Sequence, residues 1–154
     1  MKIQDHSSCR GFSLVELLIV AAVLGLIVAM AMPNLINAIQ KARQARTIAD
    51  ANGIAKGCAL YQQDFAKFPI AAEGSTASVL TEHLVPYVES FNAADGWRRE
   101  YLYTSTDGDS YTLVSRGLGG ELDQPWTAGT TSYFADDIVL IDGAFFQVPD
   151  GPQQ

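Results

Sequence analysis

The stretch from Gly11 to Met32 reads G-F-S-L-V-E-L-L-I-V-A-A-V-L-G-L-I-V-A-M-A-M and carries one charge, on Glu16. From Leu17 through Gln40 there is none. A run of roughly 20 apolar residues can cross the ~30 Å hydrocarbon layer of a bilayer as a single helix. Lipid supplies no hydrogen-bond partners, so the segment must pair its own backbone groups, which a helix does. Glu16 is the anomaly. Its plain reading is a first-turn acid favoured by the helix dipole, worth about 0.3–1 kcal/mol. The sharper reading is a paired charge, because an acid such as Asp costs about 2.5–3.5 kcal/mol on insertion scales and ionisable side chains in spans usually have functional partners.

Before this stretch, Met1 to Arg10 is short and polar, with no apolar core. A secretory signal carries its apolar region ahead of the cleavage site; here the apolar region follows Gly11. Lipoprotein processing at Cys9 fails for the same reason. Lys2 and Arg10 before the span face Lys41, Arg43 and Arg46 after it, so positive charge assigns no orientation.

Gly11-Phe12-Ser13-Leu14-Val15-Glu16, with the basic leader, the apolar run and Pro33, resembles the processing site of the type IV pilin-like superfamily, which includes the pseudopilins of type II secretion. The resemblance implies that a prepilin peptidase cuts after Gly11 and that the freed amine of Phe12 is N-methylated. It also implies that Glu16 pairs with a neighbour's Phe12 amine during subunit addition. An intrasubunit pair competes, since the two residues stand four apart. The leader would lie in the cytoplasm and the head in the periplasm, on a single-pass inner-membrane anchor.

The chain has 154 residues and a net charge of −7. Removing Lys2, Asp5 and Arg10 with the leader makes the remainder one unit more acidic. Nucleic acid is therefore not an expected partner, because phosphate contacts need clustered Lys and Arg. The two cysteines are Cys9 and Cys58; loss of Cys9 leaves no intrachain disulfide, and Cys58 reads as a small buried apolar residue.

The expected organisation is a leader over 1–11, a membrane and polymerisation helix over 12–33, the amphipathic half of the same helix over 34–68, and an αβ head over 69–154. Gly25 and Pro33 weaken the helix, by about 1 and about 3 kcal/mol respectively. The resemblance implies that the stretch between them unwinds in an assembled filament. Ile48, Ala51, Ala55, Cys58, Gln62 and Phe65, with Ile54, Tyr61 and Phe68 beside them, form a stripe that predicts packing against a head. Phe68-Pro69 ends the helix, giving a handle of roughly 80 Å at 1.5 Å per residue.

Residues 70–90 read as a connector holding a short helix over 77–85, capped by Ser75 or Thr76. His83 has no second His or Cys nearby and reads as a surface residue. Asp107-Gly108 and Asp142-Gly143 each join two alternating apolar runs, predicting two hairpins. The fold class is thus α+β: a long N-terminal helix on an antiparallel sheet of about four strands.

The head pattern D-x-W…Y-x-Y…Y-x-L-x-S-x-G…A-D-D-I-V resembles the major pseudopilins of type II secretion. In that family the loop corresponding to 117–135 folds around Ca²⁺. Asp136 and Asp137 match the acidic pair that follows it, while Leu118-Gly119-Gly120 stands where the family commonly has an Asp. Glu121 and Asp123 are the candidate substitutes. Two readings of the loop stay open: a structural calcium site, suited to hard oxygen ligands, or solvated acids and loop hydrogen bonds. No cofactor is required.

The function implied is a pseudopilus subunit that polymerises through its helix to help move folded proteins across the outer membrane. Its partners would be copies of itself, minor pseudopilins, the inner-membrane assembly platform, the prepilin peptidase and membrane lipid. The alternative is a type IV pilus subunit for adhesion, motility or electron transport. A membrane-tethered periplasmic enzyme is a weaker reading, because the head shows no Ser-His-Asp set, zinc cluster or phosphate loop.

Overall fold

A computed structural model describes residues 11–89, 91–150 and 153; the leader residues before Gly11 lie outside the described residues. The chain divides into two compact units at Ile36 and Asn37. One helix, α1 (Leu14–Phe65), supplies most of the first unit and one wall of the second. It remains helical through Gly25 and Pro33 in this isolated chain.

The second unit carries β1 (Ala71–Thr76), a 3-10 turn (Ala77–Leu80), α2 (Thr81–Leu84), β2 (Leu102–Ser105), β3 (Thr112–Ser115), β4 (Gly129–Thr131), β5 (Ile138–Ile141) and β6 (Ala144–Pro149). They form one six-stranded sheet in the order β1-β2-β3-β5-β6-β4. The sheet therefore has six strands where four were expected. β2–β3 and β5–β6 are the two expected hairpins. At the second turn Asp142 and Gly143 both have positive φ, 50° and 85°, the backbone that a two-residue hairpin loop requires.

The two additional strands come from segments read as connector and loop. β1 (A-A-E-G-S-T) has little strand propensity, yet it pairs antiparallel with β2 through an irregularity between Ala71 and Ser75, where Gly74 takes φ +72°. β4 is three residues long and adds parallel to the outer edge of β6. Neither has the alternation that marks a strand from its own residues. The short helix over 77–85 is half 3-10, and Thr76 at its start makes no side-chain cap; its hydroxyl pairs with that of Ser78 at 2.6 Å.

Ile54, Cys58, Leu80, Leu84, Tyr101, Tyr103, Leu113 and Leu140 are among the buried residues of the core between helix and sheet. The buried stretch of α1 runs from Gln44 to Cys58. Gln62 and Phe65, expected on the packed stripe, are exposed, because the covered length of the helix ends a turn earlier; Phe65 stacks on Tyr61 instead, with ring centroids 4.4 Å apart. His83 is half-buried and edge-on to Tyr61. Two of the three core tyrosines satisfy their hydroxyls through backbone carbonyls, while the buried Tyr111 hydroxyl has no hydrogen-bond partner among the described residues. Tyr101 donates to the Thr47 carbonyl at 2.8 Å and Tyr103 to the Pro69 carbonyl at 2.8 Å.

Candidate functional site

Two separate regions carry the residues singled out in the sequence. The first is the N-terminal unit. Gly11, Phe12 and Ser13 precede α1, which starts at Leu14. Ser13 Oγ accepts the Val15 N–H at 3.3 Å, and Glu16 Oε2 accepts the Ser13 N–H at 3.1 Å. This is a capping box: a hydroxyl and a carboxylate satisfy donors that the helix start would leave unpaired. The Ser-x-x-Glu spacing carries that signal, and it explains how Glu16 is held in a lone chain.

Beyond Glu16 the side chains have nothing to pack on. The residues from Phe12 to Ile39 are exposed throughout, Leu14 at 88%. The 18-residue window that is apolar enough to span a membrane is 0% buried within the chain. Burying one Val, Leu, Ile, Phe or Met side chain is worth about 1.5–3 kcal/mol. A helix with this many of them exposed on every side needs lipid or other helices around it. Nothing lies within 4 Å of a Cβ placed at Gly25, so within this chain no packing contact demands a glycine there.

The second region is the loop from Gly117 to Ala135. It leaves β3 beneath Arg99, whose guanidinium donates to the Gly117 carbonyl, and returns at the acidic pair. Asp137 is completely buried. Its Oδ2 accepts the Asp123 N–H at 2.9 Å and the Trp126 indole N–H at 2.8 Å. Gln147 clamps the same point, donating to the Asp137 carbonyl at 2.9 Å and accepting the Thr127 N–H at 3.0 Å. The loop is therefore tied by hydrogen bonds to one carboxylate and one amide.

Asp137 Oδ1 is buried without a hydrogen-bond partner. Burial pushes the Asp137 carboxyl up; the two N–H donors and the Arg116 charge pull it back, and the neighbouring Asp123 adds to the rise. The four acids do not converge. Asp136 turns to the Tyr133 N–H at 3.2 Å, Glu121 is exposed, and no cluster of three or more His, Cys, Asp or Glu suited to a metal occurs among the described residues. Asp137 and Asp123 are the two that lie near each other.

Trp126, Gln147 and Asp95 were not anticipated in these roles. Asp95 builds the turn before β2: its Oδ1 accepts the Trp97 and Arg99 N–H groups, each at 2.9 Å, and its Oδ2 accepts the Ser115 hydroxyl at 2.7 Å. The Gly96 N–H donates to Thr47 Oγ1 on α1 at 2.9 Å. Asp-Gly followed by Trp signals a turn, but its docking on the helix is a tertiary contact.

Comparison with known proteins matches the N-terminal motif and the chain as far as residue 130. Residues 6–32 match the family described as prokaryotic N-terminal methylation motif. Residues 34–130 match the family described as type II secretion system (T2SS), protein G. The chain is similar to the type II secretion system core protein G of Klebsiella michiganensis, 29% identical over 118 residues that cover 77% of this chain and 82% of that protein. Its counterpart from Escherichia coli K12 is 25% identical over 122 residues, 73% of this chain and 84% of its own length. The Klebsiella pneumoniae protein is 27% identical over 114 residues, covering 74% and 80%. No solved structure gives a significant match.

Proposed function

Because the chain belongs to the type II secretion system protein G family, we propose that it is a structural subunit of the type II secretion pseudopilus, the filament that helps move folded proteins across the outer membrane. The observation that carries this is a methylation motif leading into a helix whose membrane-length apolar window is wholly unburied within the chain. Membership in the protein G family, rather than a pilus family, favours secretion over adhesion or motility. The role is structural. The chain sits in the inner membrane by its helix, with the head on the periplasmic side.

In this reading the prepilin peptidase cuts between Gly11 and Phe12, and the Phe12 amine is methylated. The cut creates a cation four residues from Glu16. In a lone subunit the Glu16 carboxylate already serves the Ser13 N–H; on assembly it takes the Phe12 amine of the neighbouring copy, a charge-assisted contact stronger than a neutral one. The apolar helices then cover each other, and the stretch between Gly25 and Pro33 unwinds. Minor pseudopilins and an inner-membrane platform complete the set of partners.

The test is mass spectrometry of the native polymer together with a Glu16→Ala variant. The expected N-terminus is methylated Phe12, and the variant inserts and is cleaved without polymerising. Filaments of normal length from Glu16→Ala, or polymers that begin at Met1, overturn this reading.

The loop residues also fit calcium in part. Asp137 presents an unpartnered buried oxygen and Asp123 lies beside it, a pair that a hard dication would neutralise; Asp136 and Glu121 are placed too differently to join them without rearrangement. Bound calcium would supply the charge that Arg116 only partly provides. The expected result is a higher melting temperature for the chain in calcium than in chelator, lost in Asp137→Ala. Equal melting in both means that hydrogen bonds alone hold the loop.

A further inference from the structure

A groove of about 400 Å³ runs beside α1 just past the charge-free segment, lined by Ile39, Arg43, Arg46, Trp97 and Arg98 among others. We propose that it binds the phosphate headgroup of an anionic phospholipid in the leaflet where the membrane helix ends. The inference rests on the membrane reading of that helix and adds a ligand to it.

The first argument is charge. The chain is acidic as a whole, yet three guanidinium groups line one groove. Among the described residues, Arg46 alone of the three has an acidic ion-pair partner, Asp50 at 3.4 Å. The other acid near the groove, Asp95, is buried and directs its oxygens at Ser115 and at backbone N–H groups. A phosphate is a natural partner for an arginine fork, and clustered basic residues beside a span favour anionic headgroups.

The second argument is position. Gln40 is the last residue of the uncharged run, and Lys41 follows it. The Trp97 indole N–H donates to Gln40 Oε1 at 2.8 Å. The structure thus pins a half-buried tryptophan to the residue where the apolar helix meets charge, and tryptophan is enriched at the boundary between lipid and water. Arg98, next to it, has φ +66°, a conformation uncommon for a non-glycine residue. Glycine would make the same turn more easily, so the turn itself does not require the exposed guanidinium.

The experiment uses the full chain in detergent, challenged with dioleoyl phosphatidylglycerol or dioleoyl phosphatidylcholine and read by native mass spectrometry. Phosphatidylglycerol is expected to be retained at concentrations about tenfold lower than phosphatidylcholine. Arg43→Gln with Arg98→Gln should bring the two lipids within twofold of each other, while Lys56→Gln, elsewhere on the helix, should leave the preference intact. Arg43→Lys with Arg98→Lys should keep most of it. If the double glutamine variant melts earlier than the parent, Arg98→Gln alone is used, with a loss of about threefold expected.

Equal retention of the two lipids overturns the proposal. So does a preference that survives the glutamine variants, or one that Lys56→Gln removes equally. Displacement by an equimolar amount of inorganic phosphate would make the groove a site for free anions, and would also overturn it. Glutamine variants that keep the lipid preference but fail to assemble would assign the groove to a neighbouring subunit. Failure to retain either lipid would count against the membrane reading itself; retention without preference counts only against the groove.

Discussion

Gly96 packs directly on the Arg43 backbone, with a methyl group at Gly96 overlapping the Arg43 carbonyl oxygen. This contact, together with the Gly96 N–H on Thr47 Oγ1 and the Tyr101 hydroxyl on the Thr47 carbonyl, fastens the turn before β2 to one turn of α1. Thr47 completes the junction by donating its hydroxyl to the Arg43 carbonyl at 3.0 Å. The groove lined by Arg43, Arg46 and Arg98 exists because this junction holds the turn against the helix.

Gly96→Ala should therefore destabilise the head by about 1–3 kcal/mol, the usual cost of overpacking. Gly53→Ala is the contrast. Gly53 lies inside α1 with nothing within 4 Å of a Cβ, so alanine there should stabilise by about 0.5–1 kcal/mol. Urea midpoints of the two full-length variants should move in opposite directions from the parent.

Alkaline pH gives a second test. Burial pushes the Tyr101, Tyr103 and Tyr111 hydroxyls up, and the Cys58 thiol up to about 12. In each case the folded group holds its proton more tightly than the unfolded one. The Cys58 contribution is complete below about pH 7.5 and the tyrosine contributions below about pH 9, where the respective unfolded titrations start, and each is lost as pH rises toward the folded values. The melting temperature should fall over that range, with core tyrosinate absorbance appearing together with loss of near-UV dichroism. A Cys9→Ser chain should likewise react at Cys58 with a thiol reagent only as it unfolds.

The helix, the two hairpins and the motif at Gly11–Glu16 were legible because each is written in local spacing: an uncharged run, Asp-Gly between alternating apolar residues, a small residue before a first-turn acid. β1 and β4 were not, because their strand character comes from the edges of β2 and β6. The end of the packed stripe at Cys58 was also hidden, since the helical period continues to Phe65 while the covering elements do not. At the loop, Asp137 was legible as an acid but its partners were not. The Trp126 indole and the Gln147 amide are 11 and 10 residues from it along the chain, and no spacing rule joins them.

The helix start supplies a prediction about the lone subunit. Ser13→Ala removes the acceptor of the Val15 N–H, and loss of such a cap costs about 0.5–2 kcal/mol. Amide exchange at Val15, in the full chain in micelles, should speed up by about tenfold. The Ser13 amide should keep its protection, because its acceptor belongs to Glu16. Glu16→Ala, which removes the acceptor of the Ser13 N–H, should show the reverse pattern, with Ser13 exchanging faster and Val15 little changed.

The last prediction concerns Trp126. Its indole N–H is one of two donors to a completely buried carboxylate oxygen. Trp126→Phe keeps most of the ring volume and removes the donor, leaving Asp137 more poorly paired; an unsatisfied buried group costs about 1–3 kcal/mol, more when charged. The urea midpoint should fall accordingly, with Trp97 fluorescence as the remaining tryptophan reporter. Asp137→Asn in the same background should recover part of the loss, because it removes the charge that was left under-solvated while keeping an acceptor for the Asp123 N–H. If Trp126→Phe unfolds at the parent's midpoint in chelator, the indole contact does not hold the loop, and its order must come from Gln147 and the sheet edge instead.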